Sequence, residues 1–248
     1  MDSILLLVIG VSFVLSFIFA LGGLGSALVL IPTLSKIGLP FAEARALGLF
    51  VNGISMVGAT VSNIKNKRLD FHLGIPIILA SFILAPVGAW IGHYIPAHNL
   101  LIIFILFLFF SGAMMLFFKG SKYADQYRED RPVLGPLLTG IIAGFLSCLL
   151  GVGGGGIISP LMIFQGFNPK KVATITALSV PFSSLSAFVA YAFMGSVPWN
   201  LLIYAGVAAW IGGYLGTIVM HKKMQPKTVK KFLGVMIILL GIRLITTL

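Results

Sequence analysis

Acidic residues are scarce: the 248-residue chain has six Asp and Glu, and charged residues of both signs make up only 9% of it. A water-facing domain carries about 25% charged residues, so a soluble enzyme and a disordered chain are both excluded. There is one cysteine, Cys148. A lone thiol rules out an intrachain disulfide and a Cys-based metal cluster, and within an apolar run it reads as a small packing residue. The four histidines, His72, His93, His98 and His221, fall near predicted loop ends, and none has a second His or a carboxylate at ligand spacing. No metal site and no cofactor are expected. The net charge of +11 does not imply nucleic acid, because no basic stretch alternates with aromatics on a polar surface. The basic residues lie in short loops between apolar runs, where such residues set orientation and meet anionic headgroups. Only Asp2 precedes the first apolar run, and no small-residue cleavage site follows it. That run is therefore expected to be structure rather than a leader.

What remains is apolar: 58% hydrophobic residues, with 20 Phe and 29 Gly, at a mean hydropathy of +1.08. A crossing needs about 20 apolar residues at 1.5 Å each, so the chain has room for about eight to ten membrane segments. An all-α polytopic membrane protein is expected.

The chain also repeats itself. A shift of 128 residues lays Gly23-Leu24-Gly25 on Gly151-Val152-Gly153, Pro32 on Pro160 and Gly38 on Gly166. The same shift pairs Ser12 and Ser16 with Gly140 and Gly144, and after a four-residue slip Gly88 pairs with Gly212. The expected halves are 1–118 and 134–248, joined by a polar linker, 119–133. Each half divides into five apolar segments, at 3–21, 26–38, 43–63, 72–95 and 98–118, then 134–150, 154–166, 170–193, 199–220 and 227–247. The second segment of each half has about 13 residues, or roughly 20 Å of helix, too short for a hydrocarbon core of about 30 Å. A glycine-rich break precedes it both times.

Charge decides the threading. If each broken pair crosses once, the 17 Lys and Arg divide 9 to 8 between the two sides. If each returns as a hairpin, 14 collect on one side, and only Lys36, Arg45 and Arg243 remain on the other. The second division matches the positive-inside rule. It puts the basic loops and the linker in the cytoplasm and both termini outside. Each half is then a Gly-broken helical hairpin plus three transmembrane helices, and the halves have opposite topology. Inverted repeats with broken helices are typical of secondary transporters, whose sites lie near the midplane.

At such a break the backbone is irregular, which a membrane tolerates only where protein buries it or a wet cavity faces it. The short helices start near Ser26 and Gly154, and their first N–H groups form a natural anion site. Candidate binding residues at the breaks are Gly23, Gly25 and Ser26, with Gly151, Gly153, Gly154 and Gly155. Pro32 and Pro160 are candidate hinges. The other paired glycines serve close helix packing first. Gly151-x-Gly153-x-x-Gly156 also matches a dinucleotide fingerprint, but no strand precedes it and no acidic residue follows about 20 positions on. No Lys-Ser/Thr ending makes it a P-loop either, so both nucleotide readings fail.

The third segments carry most of the remaining polarity. Asn52 and Ser55 are candidates in the first half, alongside Thr60 and Ser62. In the second, Thr176, Ser179, Ser183 and Ser186 share a helical face, with Thr174 and Ser184 nearby. Pro181 would bend that helix and free a carbonyl. Ser and Thr can donate to an oxyanion or bond back to their own helix, and both readings stay open. No charged residue lies deep in a predicted span, which argues against a carboxylate proton relay. Arg45 either recruits anions at the outer mouth or serves Glu43 or lipid.

The motif Gly-x-Gly followed seven residues later by Pro, in both halves, with Gly38 and Gly166 six beyond, resembles the TauE/SafE sulfite-exporter family, also called toluene-sulfonate uptake permeases. The resemblance covers nearly the whole chain. It implies an inner-membrane carrier for sulfite, sulfonates or related organic anions. The family's glycine motifs fall on Gly23 and Gly25 and on Gly151, Gly153 and Gly154. The first copy departs from the pattern, with Ser26, Ala27 and Leu28 standing where the second has glycines. The expected activity is alternating-access transport of a small sulfur-containing anion, with a channel-like anion pore as the alternative and no enzymatic role. Proton or sodium would be the coupling ion. The small-residue faces fit contacts within one chain or a homodimer.

Overall fold

The computed structural model describes residues 2–117, 127–149, 153–194 and 197–245. They form ten helices: α1 (Asp2–Ala20), α2 (Ala27–Lys36), α3 (Phe41–Lys65), α4 (Phe71–Tyr94), α5 (Ala97–Phe117), α6 (Leu134–Leu149), α7 (Gly155–Phe164), α8 (Pro169–Met194), α9 (Trp199–Lys223) and α10 (Pro226–Ile245). Among the described residues there is no strand. Stretches in α3, α4, α8 and α9 are long and apolar enough to cross a membrane. The two ten-residue helices, α2 and α7, are not.

Both short helices fold back on the helix before them. Gln165, just past α7, donates to Thr139 Oγ1 at 2.8 Å and to Gly135 O at 3.3 Å, so α7 ends where α6 began. In the first half Val8 of α1 shares an apolar cluster with Leu30 and Leu34 of α2 and Ala44 of α3. The far end of α1, at Phe19, packs instead with Ala173, Met220 and Val229.

The helices pack across the halves. α1 lies on α9, α6 on α4, α3 on α8 and α5 on α10. The repeat-paired small residues explain the first two contacts. A Cβ on Gly212 would meet Phe13 O at 2.6 Å, and one on Gly144 would meet Ser81 Cα at 2.5 Å. A Cβ on Gly88 would strike the carbonyl of Phe145. Small residues let these backbones approach closely, as in other membrane helix pairs.

Charged residues sort to two ends. At one end the α3–α4 turn meets the start of α8, where Asp70 pairs with Lys171 at 2.9 Å and Arg131 at 3.3 Å. Lys170 Nζ donates to the His221 carbonyl at 3.1 Å, which brings the end of α9 to the same place. At the opposite end Arg45 stacks on Tyr191 at 4.9 Å, and Arg243 donates to Thr33 Oγ1 at 3.3 Å. α3 and α8 therefore run antiparallel.

Candidate functional site

The two glycine breaks meet in the interior. Gly25 and Gly153 both have φ of +77°, a left-handed conformation that lets the chain reverse and that a side chain would strain. The backbones also touch: a Cβ on Gly155 would run into the carbonyl of Leu24, and one on Gly156 would meet Leu28 Cδ1 at 2.9 Å. Three consecutive glycines after Gly153 thus let the second break seat itself against the first. Gly23 is pressed on the start of α8, where a Cβ would lie 2.6 Å from Ala173 O. Gly151 lies outside the described residues.

Asn52, midway along α3, ties the breaks together. Its Oδ1 accepts from Ala27 N–H, the first residue of α2, at 3.2 Å. Its Nδ2 donates to Ser184 Oγ of α8 at 2.8 Å. The N–H donor on one side fixes which way the carboxamide points. A Cβ on Gly25 would collide with Asn52 Oδ1, and one on Gly153 would stand 2.6 Å from Asn52 Nδ2 and 3.0 Å from Ser184 Oγ. The amide therefore fits only because both breaks lack side chains there. The carboxamide oxygen occupies part of the donor set at the α2 N-terminus that an anion would otherwise use.

The surrounding polarity is uncharged and buried. Ser16, Ser26, Asn52, Ser159, Thr176, Ser179, Ser183 and Ser184 are all fully buried. Ser26 and Ser16 hydroxyls lie 3.4 Å apart, and Ser159 of α7 pairs with Thr176 of α8 at 3.3 Å. Ser183 donates back to the Val180 carbonyl at 3.2 Å and faces Gly154, where a Cβ would come within 3.0 Å of its hydroxyl. Ser55 and Ser179 bury hydroxyls with no hydrogen-bond partner among the described residues. Ser55 faces α9 rather than the breaks, since a Cβ on Gly213 would meet its Oγ at 2.8 Å. Buried hydroxyls normally find partners, so these two keep capacity for a ligand or water.

The prolines sit inside helices. Pro32 and Pro160 each take the sixth position of their short helix, and Pro181 lies in α8. Proline removes the N–H that would bond the carbonyl four residues back, and for Pro181 that carbonyl belongs to Ala177. Thr60 of α3 supplies the missing donor at 2.7 Å.

The structure thus brings together Gly25, Ser26, Asn52, Gly153, Gly154, Gly155 and Ser183. Thr176 joins through Ser159, while Gly23 and Ser55 make contacts outside the node. Ser159 is not among the sequence candidates, and Ser184 figures only as a hydroxyl near the candidate face. Ser184 lies off the Thr176–Ser183 helical face, and its partner is 132 residues away. No local spacing signals such a pair.

The sulfite exporter TauE/SafE family model matches residues 8–244, and the chain belongs to this family of membrane transporters. It is 27% identical to the probable membrane transporter protein YunE of Bacillus subtilis, over 99% of this chain and 98% of that one. A probable membrane transporter protein of Methanocaldococcus jannaschii is 25% identical, over 95% and 93% of the two chains. A plant relative, sulfite exporter TauE/SafE family protein 3 of Arabidopsis thaliana, is 35% identical over 31% of this chain and 17% of its own. No solved structure matches the chain.

Proposed function

We propose that the protein is a secondary transporter that moves a small sulfur-containing anion, such as sulfite or a sulfonate, across the cytoplasmic membrane by alternating access. The observation that carries this reading is the Asn52 bridge between the two breaks, buried away from solvent at the junction of the halves. The helix-end N–H and neighbouring hydroxyls can receive oxyanion oxygens without a buried counter-charge, which would be costly. The incoming anion takes the Ala27 N–H from Asn52 Oδ1, and the carboxamide turns its Nδ2 donor to the ligand. Gly25, Ser26, Gly153, Gly154, Gly155 and Ser183 form the immediate lining. Gly23, Gly151, Ser55, Thr176 and Ser179 complete it when the halves part, with Pro32, Pro160 and Pro181 as bending points.

Residues 1–118 and 134–248 act as inverted repeats around this node, joined by the cytoplasmic linker 119–133, with both termini outside. The antiparallel α3 and α8, and the exchange in which each half's first helix packs on the other half's fourth, support that symmetry. The name of the plant relative supports the cargo class.

Sulfite and sulfonate exchange in proteoliposomes tests the proposal, with and without proton and sodium gradients. Saturable uptake with counterflow is expected, and a gradient that raises it identifies the coupling ion. Non-saturating flux with unitary currents in a planar bilayer would show an anion pore instead. No flux of any sulfur anion would remove the cargo assignment.

A further inference from the structure

At the basic end, well away from the helix breaks in sequence, lies a cavity of about 1250 Å³ with five Arg and Lys and three Asp and Glu in its lining. Two of the three acids are engaged. Asp70 engages Lys171 and Arg131, and Asp130 engages Arg128 with a second contact at 2.6 Å. Glu129 is exposed to solvent. Burial alone would raise the Asp70 carboxyl, but the hydrogen bond and charge of Lys171, with the charge of Arg131, hold it below the usual carboxylate value. It stays ionised at neutral pH and keeps those two cations occupied.

Arg68 and Lys170 are left over. Lys170 gives one hydrogen to the His221 carbonyl, and an ammonium has two more. Arg68 Nη1 is buried and has no hydrogen-bond partner among the described residues. The backbone fixes where that side chain begins. α3 closes through Asn66 and Lys67, the latter at φ 53°, and Arg68 N–H bonds the Asn63 carbonyl at 3.0 Å, the 6→1 bond of a Schellman-type helix end. An Arg launched from a fixed turn, with a desolvated nitrogen lacking an acceptor, is costly unless an anion completes it.

We infer that this cavity is a second anion site, binding a small divalent oxyanion of the sulfate and sulfite type between Arg68 and Lys170. A guanidinium presents paired donors that match two oxygens of such an ion, and the ammonium adds a point charge. Among the described residues Arg68 and Lys170 have no ion-pair partner, and together they match a charge of minus two. The cavity's size leaves room for the ion to keep part of its water. The inference goes beyond the transport reading and is tested at equilibrium, so a failure of flux leaves it standing and its own failure leaves flux standing.

Calorimetric titration of the purified full chain with sulfate and with sulfite provides the test. Apart from any binding at the helix breaks, wild type is expected to show a saturable component that weakens at least tenfold in R68Q and in K170Q. R68K, which keeps the charge and loses the fork, is expected to weaken less than R68Q. Lys36→Gln removes an exposed charge from the opposite end and is expected to keep wild-type affinity. The inference is overturned if wild type binds neither ion, if no binding component weakens in R68Q, or if K36Q loses as much as R68Q. Stoichiometric phospholipid that must be stripped before sulfate binds would make the occupant a lipid phosphate, and would overturn the assignment to a free ion.

Discussion

The interior node and the basic end handle polarity in opposite ways. At the node the polar groups are an amide, hydroxyls and backbone N–H groups, buried around glycine. At the basic end the groups are formal charges around a cavity of about 1250 Å³. The difference follows from desolvation. A charge taken out of water costs several kcal/mol unless it is well paired, whereas a neutral dipole costs much less when its hydrogen bonds are made. Under the transport proposal, an anion in the interior of this chain would be met with neutral donors. Its cations stay where water and lipid headgroups can reach them.

Substitutions can separate the two regimes. The largest effect is expected from Gly155→Val, whose side chain meets the Leu24 carbonyl, a backbone atom with nowhere to go. A loss above about 4 kcal/mol is expected, read as failure to recover monodisperse protein in detergent. Asn52→Ala strands the Ala27 N–H and the Ser184 hydroxyl together. Thermal unfolding should show a loss of about 2–4 kcal/mol, unchanged by salt because the groups are neutral. Thr60→Val strands the Ala177 carbonyl beside Pro181, a smaller loss of about 1–2 kcal/mol by the same assay.

Asp70→Asn should cost about 1 kcal/mol at neutral pH and, unlike Asn52→Ala, should shrink in high salt. The Asp70 carboxyl is held below its ordinary value of 3.8 in the folded protein. Its stabilisation is therefore complete above that ordinary value and disappears as pH falls through the folded one. Stability curves of wild type and Asp70→Asn should converge in acid. A gap that persists there, or that ignores salt, would mean the Asp70 clasp is not electrostatic.

Much of the fold is legible in the sequence, for identifiable reasons. Apolar runs ended by Pro, Gly and Lys place the ten helices to within about three residues. The uneven division of Lys and Arg points to hairpins, and the Gln165 contacts with Thr139 and Gly135 close one of them. Pro181 announces a freed carbonyl, but not that Thr60, 117 residues earlier, takes it up. The Asn52–Ser184 bond is equally silent, because either residue alone reads as one more polar group in a span. Arg68 reads as an orientation charge. Only the helix-end turn and the cavity wall show that one of its nitrogens is buried. Periodicity carries the elements, whereas pairings between halves depend on how the elements dock.

The central claim is that the Asn52 bridge is the place where the anion passes, and sulfite counterflow in proteoliposomes holding Asn52→Ala tests it most directly. With protein that still unfolds cooperatively and reconstitutes as well as wild type, counterflow is predicted to fall at least tenfold. Wild-type counterflow in that variant would contradict the account and move the transport route away from the helix breaks.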